Sequence, residues 1–407
     1  MHLNLLFKKI LFFIFLFIFF TCNFGNSFAS EENPLNINAR SCVVLDRTSK
    51  NILFGKNEYN KVKMASTTKI MTATIILENC DLEKTVTVSK KAARTGGSRL
   101  GLKENDKITI KDLLYGLLLV SGNDAAVCLA ESCSGSVLEF ANLMNKKAFD
   151  LGLTNTHFET PHGLDSDNHY TTAYELAILT DYALNNSTFL KIVGTKNYTI
   201  NINGYPKTLT NTNELLGNLN GVYGVKTGFT NGANRCLVTS CKRNNMDIIC
   251  VVLGCDTKNF RSSDSKKLIE YSFSNFEYVN IGNILNKDLD NWKLENNNYF
   301  SIEKGISSNL DIKLSNIATP IIPFKKDEIS SIKTEFNINK NLSAPIFSND
   351  KIGNFRIYTN SRTILEGDIL SNQDIKKKNV FYYLNDFFKN YSNILNNFAQ
   401  EKTYDFT

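Results

Sequence analysis

Proline is scarce in this chain, six in 407 residues, and no long stretch is built from a few residue types. Tracts of those kinds keep a polypeptide from burying a core, so their absence argues against disorder. No two cysteines stand in Cys-x-x-Cys spacing, no His-Glu-x-x-His occurs, and there are only four histidines. Zinc ligation is therefore not an expectation, and no other cofactor motif is present. Strong charge of one sign is also missing. The formal charge of +6 falls to +4 once Lys8 and Lys9 are set aside with a leader, too mild for a nucleic-acid-binding surface. The longest uninterrupted apolar run, Ile10 to Phe20, is too short to span a ~30 Å hydrocarbon core. What the chain does have is 42% apolar residues with 28 Phe, ample for a core of more than one domain.

The short run follows Lys8 and Lys9 and precedes small residues ending in Ser-Phe-Ala before Ser30, the layout of a secretory signal peptide over 1–29 cleaved after Ala29. An uncleaved anchor is the alternative. Of the nine cysteines, Cys22 lies in the leader and the other eight enter the exported chain, where disulfides are ordinarily expected. Cys128 and Cys250, however, sit in apolar contexts where the thiol acts as a small hydrophobe, so few or no bridges are expected.

Two short strands are predicted in SCVVLDRTSKNILFGKN about the polar turn Asp46 to Lys50. Helices follow: one through TKIMTATIILEN opened by Ser66, one capped by Thr109 with Asp112 three residues on, one after the SGND break, and one over Thr172 to Leu184. NRCLVTSCKRNNMDIICVVLG reads as a hairpin about Lys242 to Asn245, and SKKLIEYSF returns to helix. Strands, a helical cluster, then strands make residues 35–276 an α+β or α/β domain. Residues 277–373 read as a smaller β-rich domain with no helix, and 376–399 as an amphipathic helix with Phe381, Leu384, Phe388, Tyr391, Leu395 and Phe398 three or four apart beside Lys376 to Lys378. On an exported chain such a terminal helix is expected to lie on a membrane surface; docking on its own protein is the alternative.

Chemistry concentrates in three short motifs. Ser66 and Lys69 are three residues apart, about 300° of helical turn, so both side chains project from one face. Ser-x-x-Lys alone decides little, since it also starts at Ser263, Ser301, Ser330 and Ser348. Ser-Gly-Asn at Ser121 to Asn123 is equally weak alone, yet it is the one Ser-x-Asn placed between two predicted helices, where a side chain can enter a cleft. Lys226-Thr227-Gly228 occurs once. Its lysine brings positive charge and its glycine permits close backbone approach, although an ordinary bulged strand reads the same way. Serine acylation needs a nucleophile, a base, a second proton-handling group and oxyanion donors, and these residues could supply them.

Taken in this order, STTK, SGN and KTG resemble the low-molecular-mass penicillin-binding proteins, the serine-type D-alanyl-D-alanine carboxypeptidases (peptidase S11). TNTHFETPHGLD, GVKTGFT, VVLG and SKKLIEYSF look familial too, and the resemblance covers Ala39 to Phe276 well. It implies an α+β, β-lactamase-like catalytic domain with an antiparallel sheet and helical cluster, followed by the β-rich domain and tail helix. It further implies Ser66 as nucleophile, Lys69 as base and Ser121 as proton relay, with the backbone N–H groups of Ser66 and Phe229 holding the oxyanion. Asn123 would bind the substrate backbone, Lys226 and Thr227 would help hold its terminal carboxylate, and Gly228 would let the extended substrate approach the backbone closely. Arg261 matches a familial arginine that could pair with the terminal carboxylate. Two departures are visible: Thr212 in NTN stands where some relatives carry arginine, and Phe229 where some carry histidine. The implied partners are peptidoglycan stem peptides ending in D-Ala-D-Ala, β-lactams as covalent inhibitors, and the outer face of the membrane, with no cofactor and no nucleic acid. A lysine base must be neutral near pH 7, well below its reference pKa of ~10.4, and burial with the like charge of Lys226 would push it there.

Competing readings are weaker. A class A β-lactamase needs a glutamate base in Glu-x-x-Leu-Asn, whereas Glu159 here is followed by Thr-Pro-His. A zinc peptidase would rest on His157, His162 and His169 alone. Endopeptidase action on cross-linked peptides uses the same acylation site, and a non-catalytic wall-binding protein would not need the motif residues intact.

Overall fold

The computed structural model describes residues 35–404 apart from residue 317, with side chains up to residue 395. The leader over 1–29, with Cys22, and the Phe398 side chain therefore lie outside the described residues. Every strand and helix of the described residues belongs to the unit that begins at Ala39.

Strands β1 (Ser41–Asp46) and β2 (Ile52–Lys56) form the expected hairpin. A 3-10 turn over Ala65–Thr68 leads into helix α1 (Lys69–Asn79), followed by α2 (Ile110–Leu119), α3 (Asn123–Ser134) and α4 (Ala173–Leu184). Strands β3 (Val222–Thr230), β4 (Asn234–Arg243) and β5 (Met246–Cys255) and helix α5 (Lys258–Asn275) complete the region. The strands make one antiparallel sheet in the order β2-β1-β5-β4-β3, which resolves the α+β or α/β choice in favour of α+β and leaves β3 at an edge. Both sheet faces are covered, so β1 is buried at every position. Val43, Leu45, Ile249 and Val251 face the helical cluster, while Cys250 packs toward α5 with its thiol 3.9 Å from the Ser265 carbonyl. The thiols fill space there as small hydrophobes, and all eight described cysteines are free.

Local chemistry sets the helix starts. The Thr109 hydroxyl accepts from the Asp112 amide at 3.1 Å, and Thr172 does the same for Glu175 at 3.0 Å. Helix α1 is buried on all sides from Lys69 to Ile76, which accounts for the near absence of a polar face in its sequence. Between α2 and α3 only Val120, Ser121 and Gly122 remain, and Ser121 holds φ of 62°, a left-handed conformation uncommon outside glycine.

The region after residue 276 differs from the sequence expectation in one respect: it contains a helix, α6 (Ile281–Glu295). Ile281, Leu285 and Leu289 recur every four residues and are buried, but the intervening asparagines and aspartates are poor helix formers and hide the period. The Asn280 side chain caps it by accepting from the Asn283 amide at 3.1 Å. This helix packs with a four-stranded antiparallel sheet, ordered Ile312–Leu314, Thr363–Ser371, Lys351–Tyr358 and Lys333–Ile338, around a second apolar cluster that includes Phe324, Phe355, Ile357 and Ile369. The tail is one helix, α7 (Val380–Tyr404). Its Phe381, Leu384, Phe388, Tyr391 and Leu395 are 47–78% exposed, so the alternative in which the stripe docks on its own protein is not what the structure adopts.

Candidate active site

Ser66 is not a helix cap. It sits inside the 3-10 turn, and neither that turn nor α1 is capped by a side-chain hydrogen bond. The turn is braced from within, the Thr67 hydroxyl donating to the Met64 carbonyl at 2.6 Å and Thr68 to the Ala65 carbonyl at 2.8 Å. Ala65 carries φ of 50°, so two non-glycine residues in the left-handed region, Ala65 and Ser121, flank the site. Strain of this kind persists only where surrounding contacts over-determine it. Here the contacts are identifiable. Gly228 of β3 presses on the turn, where a Cβ would meet the Ser66 amide nitrogen at 3.1 Å. Gly163, at φ 82°, lies so close on the other side that a Cβ would fall 1.9 Å from the Ala65 carbonyl oxygen. The glycine of the third motif thus admits the Ser66 turn, a closer partner than the substrate anticipated from sequence.

Lys69 is completely buried, and its Nζ has three partners: Ser66 Oγ at 2.9 Å, Asn123 Oδ1 at 2.8 Å and the His162 carbonyl at 2.8 Å. Burial, reinforced by the Lys226 charge, holds its pKa well below the ordinary lysine value. A neutral amine has two N–H donors and one lone pair. Asn123 Oδ1 and the His162 carbonyl can only accept, so they take the two donors and leave the lone pair for the Ser66 hydroxyl to donate to. Lys226, also buried, is lowered to about 7 by burial and by Arg261, and it donates to the Thr227 carbonyl at 2.8 Å.

Asn123 differs from the expectation. Both ends of its amide are engaged inside the protein, Oδ1 with Lys69 and Nδ2 with the Gly96 carbonyl at 2.8 Å, and the residue is 2% exposed. Next to it, buried Asp124 accepts from the Leu100, Gly101 and Leu102 amides, tying down the loop that carries Ser98.

Ser66, Ser121, Thr227, Gly228, Phe229 and Arg261 line one cavity of about 420 Å³, so six of the nine residues singled out in the sequence share a surface. The other three, Lys69, Asn123 and Lys226, lie buried beneath it. Thr212 does not leave a gap where relatives carry arginine: its hydroxyl is 2.8 Å from that of Thr227. Phe229 is 47% exposed with the Arg235 guanidinium 3.7 Å from its ring centroid. Arg261, in the first turn of α5, is buried rather than solvated; its Nε and Nη2 lack hydrogen-bond partners, and the nearest carboxylate, Glu214, is 3.6 Å away.

Sequence reasoning missed several contributors. The His162 carbonyl is a backbone group and leaves no side-chain signal, although its stretch TPHGLD looks familial. His169 accepts from the Glu159 amide through Nδ1 at 3.0 Å, which places its proton on Nε2 facing Thr68 Oγ1 at 2.8 Å. Burial keeps it neutral, with pKa about 4, and it braces the turn that carries Ser66. Arg235, Lys258 and Glu214 also line the cavity and belong to no motif.

Comparison with known proteins gives the family of the chain. The family model described as D-alanyl-D-alanine carboxypeptidase matches residues 27–257, and that of the penicillin-binding protein 5 C-terminal domain matches 296–377. The D-alanyl-D-alanine carboxypeptidase DacF of Bacillus subtilis is 33% identical over 377 residues, covering 91% of this chain and 94% of its own. The crystal structure of penicillin-binding protein 5 from Haemophilus influenzae superposes with a TM-score of 0.63 at 31% identity, over 84% of this chain and 98% of that one. The D-alanyl-D-alanine carboxypeptidase DacD from Francisella tularensis superposes at 0.68 with 25% identity, over 84% and 94%. The chain therefore belongs to the D-alanyl-D-alanine carboxypeptidase family, peptidase S11, as a serine-type hydrolase with the two-part architecture of penicillin-binding protein 5.

Proposed function

We propose that this chain removes the terminal D-alanine from peptidoglycan stem peptides through an acyl-enzyme on Ser66. The observation that carries the reading is the Lys69 amine, buried, with two acceptors fixed on its N–H groups and Ser66 Oγ 2.9 Å from its nitrogen. Ser66 gives its proton to Lys69 as Oγ attacks the penultimate D-alanine carbonyl. The oxyanion is held by the Ser66 and Phe229 N–H groups, as the resemblance implies. The peptide C–N bond then breaks, and the departing D-alanine nitrogen takes a proton through Ser121, which faces the same cavity. Water attacks the ester as Lys69 takes its proton, the ester C–O bond breaks, and Lys69 returns that proton to Ser66 Oγ. Asn123 acts here by orienting the amine. Thr227, Lys226 and Arg261 favour the terminal carboxylate, and β3, an edge strand, can pair with an extended stem peptide. β-Lactams, carrying an amide and a carboxylate in similar relation, acylate the same serine.

The leader over 1–29 and α7 put the enzyme at the outer face of the cytoplasmic membrane. No helix among the described residues is long and apolar enough to cross a membrane, whereas α7 offers exposed Phe, Tyr and Leu side chains for lying in the interface. The function is tested by incubating the protein with a soluble stem pentapeptide and with a cross-linked dimer. Stoichiometric D-alanine and tetrapeptide from the first are expected. Cleavage of the dimer alone would make it an endopeptidase, and no cleavage of either a wall-binding protein.

A further inference from the structure

One wall of the cavity is made by four charged residues from three separate segments: Glu214, Arg235, Lys258 and Arg261. Three are cationic. Arg261 is 4% exposed with two nitrogens lacking hydrogen-bond partners, an arrangement that leaves a buried cation short of acceptors. Among the described residues its one carboxylate partner within 4 Å is Glu214, whose Oε2 lies 3.6 Å from Arg261 Nη2, an ion pair longer than a hydrogen bond. Glu214 is held more firmly from the outside: its carboxylate pairs with Lys258 and accepts from the Ser262 hydroxyl at 3.1 Å. Its side chain is 44% exposed, whereas that of Arg261 is 5% exposed.

We propose that Glu214 is a built-in competitor for the substrate's terminal carboxylate, setting how tightly carboxylate-ended substrates bind at Arg261. The inference rests on the carboxypeptidase reading above. A carboxylate bound near Thr227 with an oxygen toward Arg261 Nη2 meets Glu214 Oε2 at that same nitrogen, in the same cavity. Two anions on one guanidinium repel each other at short range. Lys258 and Ser262 give Glu214 a place to remain when its share of Arg261 is taken, so it need not leave the site for substrate to bind. Glu214 lies against Arg261, whereas Arg235, the other guanidinium of this wall, stacks on the Phe229 ring 3.7 Å from its centroid, so Arg261 is the guanidinium on which this competition acts. Glu214 is thus a specificity-determining residue: it weakens binding of the carboxylate without touching the reacting atoms.

The test uses the full-length protein and two thioester substrates with the same acyl part, one releasing thioglycolate and the other its uncharged carboxamide. Glu214→Gln is expected to lower KM for the acid about two- to fivefold, the size of a half-exposed ion pair, while kcat for it and both constants for the amide stay put. Glu214→Asp, which keeps the charge, should restore the wild-type KM. An unchanged KM for the acid, a rise in it, or an equal change on both substrates would overturn the proposal, the last two making Glu214 a brace for Arg261 or the fold. If the wild-type protein turns over neither thioester, the carboxypeptidase reading fails instead, which keeps the two outcomes apart.

Discussion

Replacing Gly163 by alanine is expected to disable the enzyme from outside the catalytic set. The residue belongs to the loop whose His162 carbonyl holds Lys69, and a Cβ there would lie 1.9 Å from the Ala65 carbonyl oxygen and 2.5 Å from Thr68 Oγ1. The first of these is backbone and cannot swing away. Two costs add: a non-glycine residue in a left-handed conformation, about 1–2 kcal/mol, and overpacking against a fixed neighbour, about 1–3 kcal/mol. Gly152 separates them, since it has φ of 72° with nothing within 4 Å of its would-be Cβ. Gly152→Ala should therefore lose only the first, about 1–2 kcal/mol, and keep the wild-type acylation rate. Gly163→Ala should lose about 1–3 kcal/mol more, and its acylation should slow because the Ala65 carbonyl and Ser66 must shift. Denaturant unfolding measures the first difference and fluorescent-penicillin labelling rates the second. Equal stability losses, or normal labelling of Gly163→Ala, would refute the idea that this loop clamps the nucleophile turn.

Further consequences concern pH and the membrane. Lys226 is neutral in the folded protein above about 7, whereas the unfolded chain keeps that lysine charged until about 10.5. The unfolded state then binds more protons, so stability should rise with pH across that window as the burial penalty is relieved. Lys226→Met should flatten this component in denaturant unfolding between pH 7 and 10, and an unchanged slope would place the titration elsewhere. Truncation after Asn379 should preserve hydrolysis of small peptides but abolish co-sedimentation with phosphatidylglycerol vesicles. The cut belongs there because Ile375 is 3% exposed in the second core. Vesicle binding that survives the truncation would remove α7 as the anchor.

The sequence pointed to residues that the fold brings together better than it pointed to the contacts between them. Thr109 and Thr172 cap helices where their spacing to Asp112 and Glu175 predicts, because capping is decided within four residues. The hairpin turn at Asn244 and Asn245 is similarly local. The three motifs converge although they lie far apart in the chain, and only their joint resemblance to a family made that foreseeable. What stayed hidden depends on partners distant in sequence. Asn123 could not be read as a lysine-orienting group without knowing that Lys69 and Gly96 lie at its two ends. Gly228 looked like room for substrate because nothing in KTG says that the Ser66 turn fills the space. Helix α6 was missed because tertiary packing of three apolar residues overrides a stretch of poor helix formers.

The central claim is that Ser66 is acylated because buried, neutral Lys69 takes its proton. Mass spectrometry of the penicillin-treated protein, followed by peptide mapping, addresses it directly. One adduct per chain is expected on the peptide containing Ser66, absent from Ser66→Ala and formed far more slowly in Lys69→Met. An adduct that maps to another peptide, persists in Ser66→Ala, or forms at the normal rate without Lys69 would contradict it.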